Sequence, residues 1–282
     1  MGFEYQKLSV RPLSGALGAE IHGVDLSQPL DNETFSDIHK AFVDHLVIFF
    51  RDQQMTPEQH LAFARRFGPL HIHPYAAGMK DRPEIIEIIK EREETHNWGD
   101  GWHTDVPFEE RPPLGSILYS KEVPPFSGDT FFSNMYLAYE TLSEGLRKTL
   151  DGLTGVYVGD NALYDNFAAM PNQKQESLIA EHPLVRTHID TGKKSLYLSK
   201  RFLKRFKDWS EEESRPLINF LQQHAERPEF TCRFHWEVNS VAFWDNRCTL
   251  HLANCDYFYK ARNFSPSRRR MHRVTIIGER PQ

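Results

Sequence analysis

The residues with the clearest chemical potential are His103 and Asp105, two positions apart in the segment Trp102-His103-Thr104-Asp105. On a β-strand, residues i and i+2 project to the same face, so the imidazole and the carboxylate would lie side by side. Such a pair supplies two of the three ligands of a facial 2-His-1-carboxylate iron site, which leaves positions open for dioxygen and a co-substrate. The spacing alone also fits a surface histidine beside a surface aspartate, because the chain contains 14 histidines.

A third ligand must come from a distant strand that packs near the first pair. Residues 243–251 qualify, because an apolar strand there ends in the polar turn Asp245-Asn246-Arg247 and is followed by His251. Taken alone, His251 would more often be a hydrogen-bonded core or surface histidine than a metal ligand. The metal-site hypothesis therefore depends on whether the fold brings residues 103–105 and His251 together.

The composition is that of an ordinary globular protein. Of the 282 residues, 39% are hydrophobic and 26% are charged, and a chain of this length can form one large domain. We expect residues 1–282 to form a single domain. The net charge of −5 argues against a general nucleic-acid-binding protein, although it is compatible with a locally cationic pocket.

Several features bear on the cellular environment. The longest apolar run, residues 46–50, is too short to cross a membrane, and the N-terminal residues lack the basic-then-apolar run of a signal peptide. The three cysteines form no CxxC pair, so we expect free thiols in a reducing compartment. These features predict a cytoplasmic protein with neither membrane nor nucleic-acid partners.

Hydrophobic periodicity predicts strands near both ends of the chain, with helices between them. The predicted strands cover residues 46–50, 84–90, 115–121, 130–134, 230–236, 240–244 and 271–277, with a strand–turn–strand unit in 8–30 and a hairpin in 185–198. The predicted helices cover residues 33–44, 56–68, 135–151 and 210–224. This pattern fits an antiparallel β core decorated by helices.

Residues 157–181 have no clear periodicity. Gly, Asn, Asp, Gln and Lys alternate there with aromatic and apolar residues such as Tyr157, Tyr164 and Phe167. A long segment of this kind inside a compact domain is often a lid or a binding loop. A disordered excursion fits the composition equally well, so the lid near 157–181 is a hypothesis.

Seven segments spread over nearly the whole chain carry a family resemblance. They are residues 18–26 (GAEIHGVDL), 49–53 (FFRDQ), 67–74 (FGPLHIHP), 102–106 (WHTDV), 128–130 (GDT), 244–247 (WDNR) and 271–273 (MHR). In their order and spacing the chain resembles the taurine dioxygenase family of iron(II)- and 2-oxoglutarate-dependent oxygenases. This family also contains alkylsulfatases and aryloxyalkanoate dioxygenases.

The resemblance implies a fold and a set of cofactor ligands. The fold is mainly β with flanking helices around a double-stranded β-helix, or jelly-roll, core. His103, Asp105 and His251 stand at the positions of the iron(II) ligands, and 2-oxoglutarate and O2 are the implied co-substrates. Arg269 and Thr130 stand where the family binds the far carboxylate of 2-oxoglutarate, and a guanidinium matches a carboxylate with two parallel hydrogen bonds.

The resemblance also implies an anion pocket for the primary substrate. His73 and Arg273 match the family's sulfonate-binding residues, and the Val106 backbone N–H is a third donor. Tyr75 and Phe202 are the candidate pocket aromatics. Arg269 and Arg273 are four residues apart, so both can face the interior if no bulge intervenes between them.

Two departures from the family pattern concern the substrate. Gly99 stands where taurine dioxygenase has an asparagine near the substrate amine, and the aromatic order after Pro74 differs. The anion-binding residues are kept while the amine-binding ones are lost, so taurine itself is in doubt. A more apolar anion, a sulfonate, a sulfate ester or a carboxylate, fits better, and its hydroxylation could lead to C–S or C–O cleavage.

Two other readings of the same residues stay open. One keeps the metal triad but binds zinc and acts as a hydrolase. The other is a jelly-roll binding module without catalytic activity. By analogy with the family, we also expect a homodimer or a homotetramer.

Overall fold

The computed structural model of the chain describes residues 5–92, 94, 98–160, 176–256 and 268–282. Its α-helices are α1 (Asn32–His45), α2 (Pro57–Arg65), α3 (Met135–Glu140), α4 (Glu144–Leu150) and α5 (Glu211–Ala225). Its strands are β1 (Ser9–Pro12), β2 (Ala19–His22), β3 (Val47–Phe50), β4 (Ile85–Lys90), β5 (Pro113–Glu122), β6 (Thr130–Asn134), β7 (Thr154–Gly159), β8 (Leu178–Pro183), β9 (Val185–Thr187), β10 (Lys194–Leu196), β11 (Leu203–Phe206), β12 (Thr231–Phe234), β13 (Val241–Asp245), β14 (Thr249–Ala253) and β15 (Arg269–Ile277).

Two sheets form the centre of the molecule. The large sheet has seven strands in the order β1-β2-β3-β13-β5-β15-β4, and all its pairs are antiparallel except β2 with β3. The smaller sheet has the order β12-β6-β14. The predicted strand at residues 46–50 is β3, whose four residues are all buried between β2 and β13. Alternation of chain segments between the sheets is the pattern of a jelly roll.

Aromatic side chains join the facing surfaces of the two sheets. The ring of Phe49 on β3 stacks on that of Phe234 on β12, with 4.0 Å between the centroids. Phe132 on β6 meets Phe49 edge to face at 5.7 Å. Such offset and edge-on pairs are favourable beyond the area that they bury. These ring contacts keep the two sheets close enough for their interior side chains to pack together.

Helices α1 and α2 cover the other face of the large sheet. Asp31 caps α1 by accepting from the Thr34 N–H, and Thr56 and Gln59 form a reciprocal capping box at α2. The Phe42 ring of α1 stacks on Phe243 of β13 at 4.0 Å. Both faces of the large sheet are therefore packed at its centre, where every residue of β3 and β13 is buried.

Some boundaries differ from those that the sequence pattern predicts. Residues 135–151 form two helices rather than one, because α3 ends at Glu140 and Ser143 begins α4 as its cap, accepting from the Leu146 N–H. Helix α2 ends at Arg65, before the predicted end at Gly68. The predicted lid at 157–181 begins within β7 and ends within β8, and residues 161–175 lie outside the described part of the chain.

Strands β12 and β13 flank a turn at residues 237–239, but they belong to different sheets. Asn239 adopts the left-handed conformation there, with φ of 67°, as asparagine does more readily than most residues. The turn carries the chain from the small sheet to the large one. No helix among the described residues is long and apolar enough to span a membrane.

Candidate metal centre and active site

A short backbone bridge brings the two candidate histidine ligands together. The His103 N–H donates to the His251 carbonyl at 3.0 Å, and the His251 N–H donates to the His103 carbonyl at 2.8 Å. His251 lies on β14 in the small sheet, whereas residue 103 lies in the segment before β5. The bridge places the two imidazole centroids 4.1 Å apart.

The carboxylate of Asp105 completes the cluster. Its Oδ1 atom lies 3.8 Å from Nε2 of His103 and 3.8 Å from Nε2 of His251. The three candidate ligand atoms lie within 4.8 Å of one another, and all three side chains are buried. The structure therefore brings together the three residues that the sequence pattern singled out.

The donor set fits a divalent iron ion. The Nδ1–H of His103 donates to the Gly101 carbonyl at 2.7 Å, so the Nε2 lone pair faces the carboxylate. Burial lowers the pKa of His103 and His251, which keeps both rings neutral. Burial raises the pKa of Asp105, but the Arg273 guanidinium and the two imidazoles outweigh it and hold the pKa below its ordinary value.

A polar network fixes the second oxygen of Asp105. The Ser116 hydroxyl on β5 donates to Oδ2 at 2.7 Å, and the Asn246 side-chain amide donates to Ser116 at 3.1 Å. Asn246 Oδ1 in turn accepts from the Asp105 N–H at 3.2 Å and from the Trp244 indole at 3.0 Å. These contacts leave Oδ1 facing the imidazoles. The sequence pattern did not single out Ser116.

One small cavity adjoins the cluster. Besides His103 and Asp105, its lining residues are His73, Trp98, Gly99, Val106, Arg201, Phe202 and Arg273. Four of the five candidate substrate residues therefore lie around a single space. The Arg273 guanidinium donates to Asp105 Oδ1 at 2.9 Å, so it reaches the same oxygen that faces both imidazoles.

The tautomer of His73 follows from its contacts. Its Nδ1 accepts the backbone N–H groups of Tyr75 at 3.1 Å and of Ala76 at 2.9 Å. Burial and the nearby Arg273 lower its pKa, so the ring is neutral and carries its proton on Nε2. His73 can therefore act as an N–H donor beside the Arg273 cation.

Tyr75 occupies a different position from the other substrate candidates. It is buried, and among the described residues it does not line the cavity. Its hydroxyl donates to the Gly159 carbonyl at 2.9 Å and accepts the Leu178 N–H at 2.9 Å. Tyr75 thus links the end of β7 to the start of β8.

Val106 adopts a strained backbone conformation at the cavity. Its φ of 47° lies in the left-handed region, which a β-branched residue rarely enters. Strain of this kind persists only where the surrounding structure imposes it, and it is concentrated at functional sites. The Val106 N–H remains the candidate third donor to an anion.

The two candidate 2-oxoglutarate residues each begin a strand, one in each of the two sheets. Arg269 opens β15 and Thr130 opens β6, and both are buried. The register irregularity near Arg270 places the extra residue in β5, not in β15. Arg269 and Arg273 therefore stay in phase and face the interior together, as predicted.

Besides Ser116, the sequence pattern missed three residues around the site: Trp98, Arg201 and Trp236. The first two line the cavity, and the Trp236 indole donates to the Thr130 hydroxyl at 2.9 Å. Arg201 could have been noticed because it precedes Phe202. Nothing in the local pattern around Trp236 distinguishes it from a core tryptophan.

A second buried cluster has the residue types of a metal site but not its chemistry. His188, Asp245 and Cys248 lie close together. Both oxygens of Asp245 accept from Arg247, and His188 also contacts Oδ2 at 3.0 Å. Burial raises the pKa of the Cys248 thiol, so the sulfur is protonated and a poor ligand. This cluster stabilises the turn before His251.

Comparison with known proteins identifies the family. The profile described as "Taurine catabolism dioxygenase TauD, TfdA family" matches residues 9–275. The chain belongs to this family. Among its relatives are an alkylsulfatase of Acinetobacter baylyi (36% identity, covering 97% of this chain and 86% of the relative) and an alpha-ketoglutarate-dependent sulfate ester dioxygenase of Pseudomonas putida (36%, covering 98% and 91%). The crystal structure of a taurine dioxygenase from Burkholderia xenovorans matches with a TM-score of 0.82 at 42% identity, covering 98% of this chain and 91% of that one.

Membership of this family confirms the predicted mainly β, jelly-roll fold, here without closure into a complete barrel among the described strands. It also confirms that the protein is a 2-oxoglutarate-dependent dioxygenase, an oxidoreductase. The family implies iron, 2-oxoglutarate and O2 as the reactive components. The buried triad of two imidazoles and one carboxylate fits that requirement.

Proposed function

We propose that this dioxygenase hydroxylates a carbon atom of a small anionic organic substrate and releases succinate and CO2. His103, Asp105 and His251 hold the iron ion, and Arg269 and Thr130 bind the far carboxylate of 2-oxoglutarate. The observation that carries the proposal is the convergence of the triad beside a cavity that also contains His73 and Arg273. Bound iron(II) supplies the activation of dioxygen that hydroxylation of a C–H bond requires.

The protein's own residues orient the reactants. His73 and Arg273 offer an N–H donor and a guanidinium to the substrate anion. Their position next to Asp105 holds the neighbouring carbon of the substrate close to the triad. Phe202, Trp98 and Val106 contribute apolar surface to the same cavity, which limits the access of water.

Three substrate classes carry a suitable anion: sulfonates, sulfate esters and carboxylates. The relatives described above include proteins named for sulfate esters and for taurine. Arg201, which lies 3.7 Å from the Asp100 carboxylate, adds a second guanidinium to the cavity wall, and Gly99 supplies no side chain that could bind an amine. These two features favour an alkyl sulfate or an amine-free sulfonate over taurine. Hydroxylation of the carbon bearing oxygen or sulfur would give an unstable product that loses sulfate or sulfite.

The test is a substrate panel scored by succinate formation. The enzyme with Fe(II), 2-oxoglutarate and O2 is offered alkyl sulfates, alkanesulfonates, taurine and aryloxy acids. We expect succinate in equal amount to released sulfate or sulfite for at least one amine-free anion. Binding of Fe(II) and 2-oxoglutarate without substrate-dependent succinate from any of these anions would contradict the proposal.

Strand β15 carries both a residue that tests the anion pocket and a matched control residue. Arg273 and Arg270 are on opposite faces of β15, and Arg270 pairs with Glu87 near the surface. Arg273→Ala should raise the KM for the anionic substrate at least tenfold and leave the KM for 2-oxoglutarate nearly unchanged. Arg270→Ala should change neither. Equal effects of the two variants would overturn the assignment of Arg273.

A further inference from the structure

Trp236 is a buried tryptophan two residues after β12, and it contacts both residues of the 2-oxoglutarate carboxylate site. Its indole N–H donates to Thr130 Oγ1 at 2.9 Å. The centre of its ring lies 6.0 Å from the Arg269 guanidinium carbon. Phe234 packs edge to face against it at 4.9 Å and restricts its orientation.

The hydrogen bond from Trp236 determines what the threonine hydroxyl can do. An indole N–H only donates, so Thr130 Oγ1 must accept at this contact. The hydroxyl proton is then directed to another acceptor. Among the described residues no acceptor for that proton is present, although Thr130 is buried. A buried donor without an acceptor is unfavourable, so this hydroxyl is prepared for an acceptor supplied by a ligand.

The ring face of Trp236 acts on the second residue. A cation near the face of an indole is attracted by the negative potential of the ring, and the contact also limits its rotamers. Arg269 starts β15, and Thr130 starts β6 in the other sheet. One side chain therefore restricts two groups that come from different sheets.

We propose that Trp236 is a positioning residue for 2-oxoglutarate. It directs the Thr130 hydroxyl proton toward the far carboxylate of the co-substrate and holds the Arg269 guanidinium beside it. This inference rests on the proposed role of Thr130 and Arg269. It adds a residue that does not bind the ligand itself, because the only N–H of the Trp236 side chain already donates to Thr130.

The first test measures binding of 2-oxoglutarate to the Zn(II)-loaded protein by calorimetry. Zinc accepts the same imidazole and carboxylate ligands but does not support turnover with O2. Trp236→Phe removes the N–H and keeps an aromatic ring. We expect its dissociation constant for 2-oxoglutarate to rise about five- to tenfold, with Zn(II) binding unchanged. The control Trp209→Phe, at an exposed tryptophan that packs on Phe206, should leave both values unchanged.

A second ligand separates positioning from general damage to the site. 2-Oxopentanoate has the same 2-oxo acid group, but its far end is a methyl group. Trp236→Phe should bind this analogue as the wild type does. An equal loss of affinity for both ligands, or no loss for 2-oxoglutarate, would overturn the proposal. A wild-type protein that does not prefer 2-oxoglutarate to 2-oxopentanoate would instead refute the roles of Thr130 and Arg269.

A double-mutant cycle tests the path through Thr130. In a Thr130→Val background, the hydroxyl that Trp236 orients is absent, so Trp236→Phe should have less effect than in the wild type. A full additive effect would indicate that Trp236 acts independently of Thr130.

If Trp236→Phe does not fold, the inference can be tested by NMR on the wild-type protein. The indole ¹⁵N–¹H resonance of Trp236 in the Zn(II)-loaded protein should shift when 2-oxoglutarate is added, because its acceptor Thr130 then donates to the ligand. 2-Oxopentanoate should leave it nearly unchanged. Equal shifts with both ligands would contradict the inference.

Discussion

Asp105 is the residue on which the site depends most, because each of its two oxygens has a separate task. Oδ2 accepts from Ser116, and Oδ1 faces both imidazoles and Arg273. The hydrogen bond to Oδ2 fixes the rotation of the carboxylate. Groups that orient a ligand in this way affect metal binding without touching the metal.

Removal of the Ser116 hydroxyl should therefore weaken metal binding. For Ser116→Ala we expect a loss of roughly 10- to 100-fold in Fe(II) affinity, measured by anaerobic titration. Ser133→Ala is the matched control, since this buried serine on β6 donates to the Ala225 carbonyl away from the site. It should lower stability by about 1 kcal/mol and leave the affinity for Fe(II) unchanged. The same affinity in both variants would mean that Ser116 does not orient Asp105.

The positive charge of Arg201 should influence which substrates the enzyme prefers. Its guanidinium lines the cavity that contains Arg273, so it should repel a substrate ammonium group. Arg201→Gln should shift the kcat/KM ratio toward taurine, relative to an alkyl sulfate, by roughly tenfold, as expected for one charge interaction near a surface. Arg280→Gln, at an exposed arginine paired with Glu110, is the control. An unchanged ratio in Arg201→Gln would remove Arg201 from substrate selection.

At the scale of elements, β15 and the 103–105 segment position the site for different reasons. Strand β15 alternates, so Arg269, Met271 and Arg273 face the interior while Arg270 faces outward. This alternation can be predicted from sequence spacing. The backbone bridge between His103 and His251 joins segments that lie almost 150 positions apart in the sequence, and no local pattern predicts it.

Helix α2 supports the outer face of the large sheet, and its start depends on a reciprocal cap. Thr56 Oγ1 accepts from the Gln59 N–H at 3.3 Å, and the Gln59 side chain accepts from the Thr56 N–H at 2.7 Å. Thr56→Ala should lower the free energy of unfolding by about 1 kcal/mol, measured by urea denaturation, without a change in kcat. Thr149→Ala, inside α4 and exposed, should have a smaller effect. A loss of activity in Thr56→Ala would show that α2 influences the site as well as the fold.

At the scale of the whole molecule, burial of neutral histidines makes stability depend on pH. His60 on α2 is fully buried against the Tyr119 ring, and burial lowers its pKa from 6.5 to about 3. Between these two values the unfolded chain binds a proton that the folded protein does not. Stability from this group is therefore complete above pH 6.5 and decreases as the pH falls toward 3.

The expected size follows from the shift. Between pH 7 and pH 5, His60 should account for a loss of about 2 kcal/mol in the free energy of unfolding. In urea denaturation of the metal-free protein with chelator, His60→Leu should show a correspondingly smaller loss between these pH values. His22→Leu, at an exposed histidine on β2, should keep the wild-type pH dependence. A variant at His60 with the full wild-type loss would assign the acid sensitivity to other groups.

The sequence by itself determined most of the elements and the identity of the candidate ligands. The apolar run at residues 46–50 predicts β3, the strand patterns at 115–121 and 271–277 predict β5 and β15, capping residues predict α1, α2 and α5, and the ordered motifs indicate the family. These are local signals, because side-chain periodicity and caps involve residues a few positions apart. The break between α3 and α4 was missed, since apolar residues continue through it while Ser143 starts a new helix.

Only the tertiary structure decided which side chains meet. The contacts of Ser116 with Asp105, of Trp236 with Thr130 and of Arg201 with the cavity join residues from different elements. Such contacts depend on how the sheets pack and on the register of their strands, and a shift of one residue in β15 would turn Arg269 and Arg273 away from the interior. The chemistry of each residue is therefore set by its type, and its partners are set by the fold.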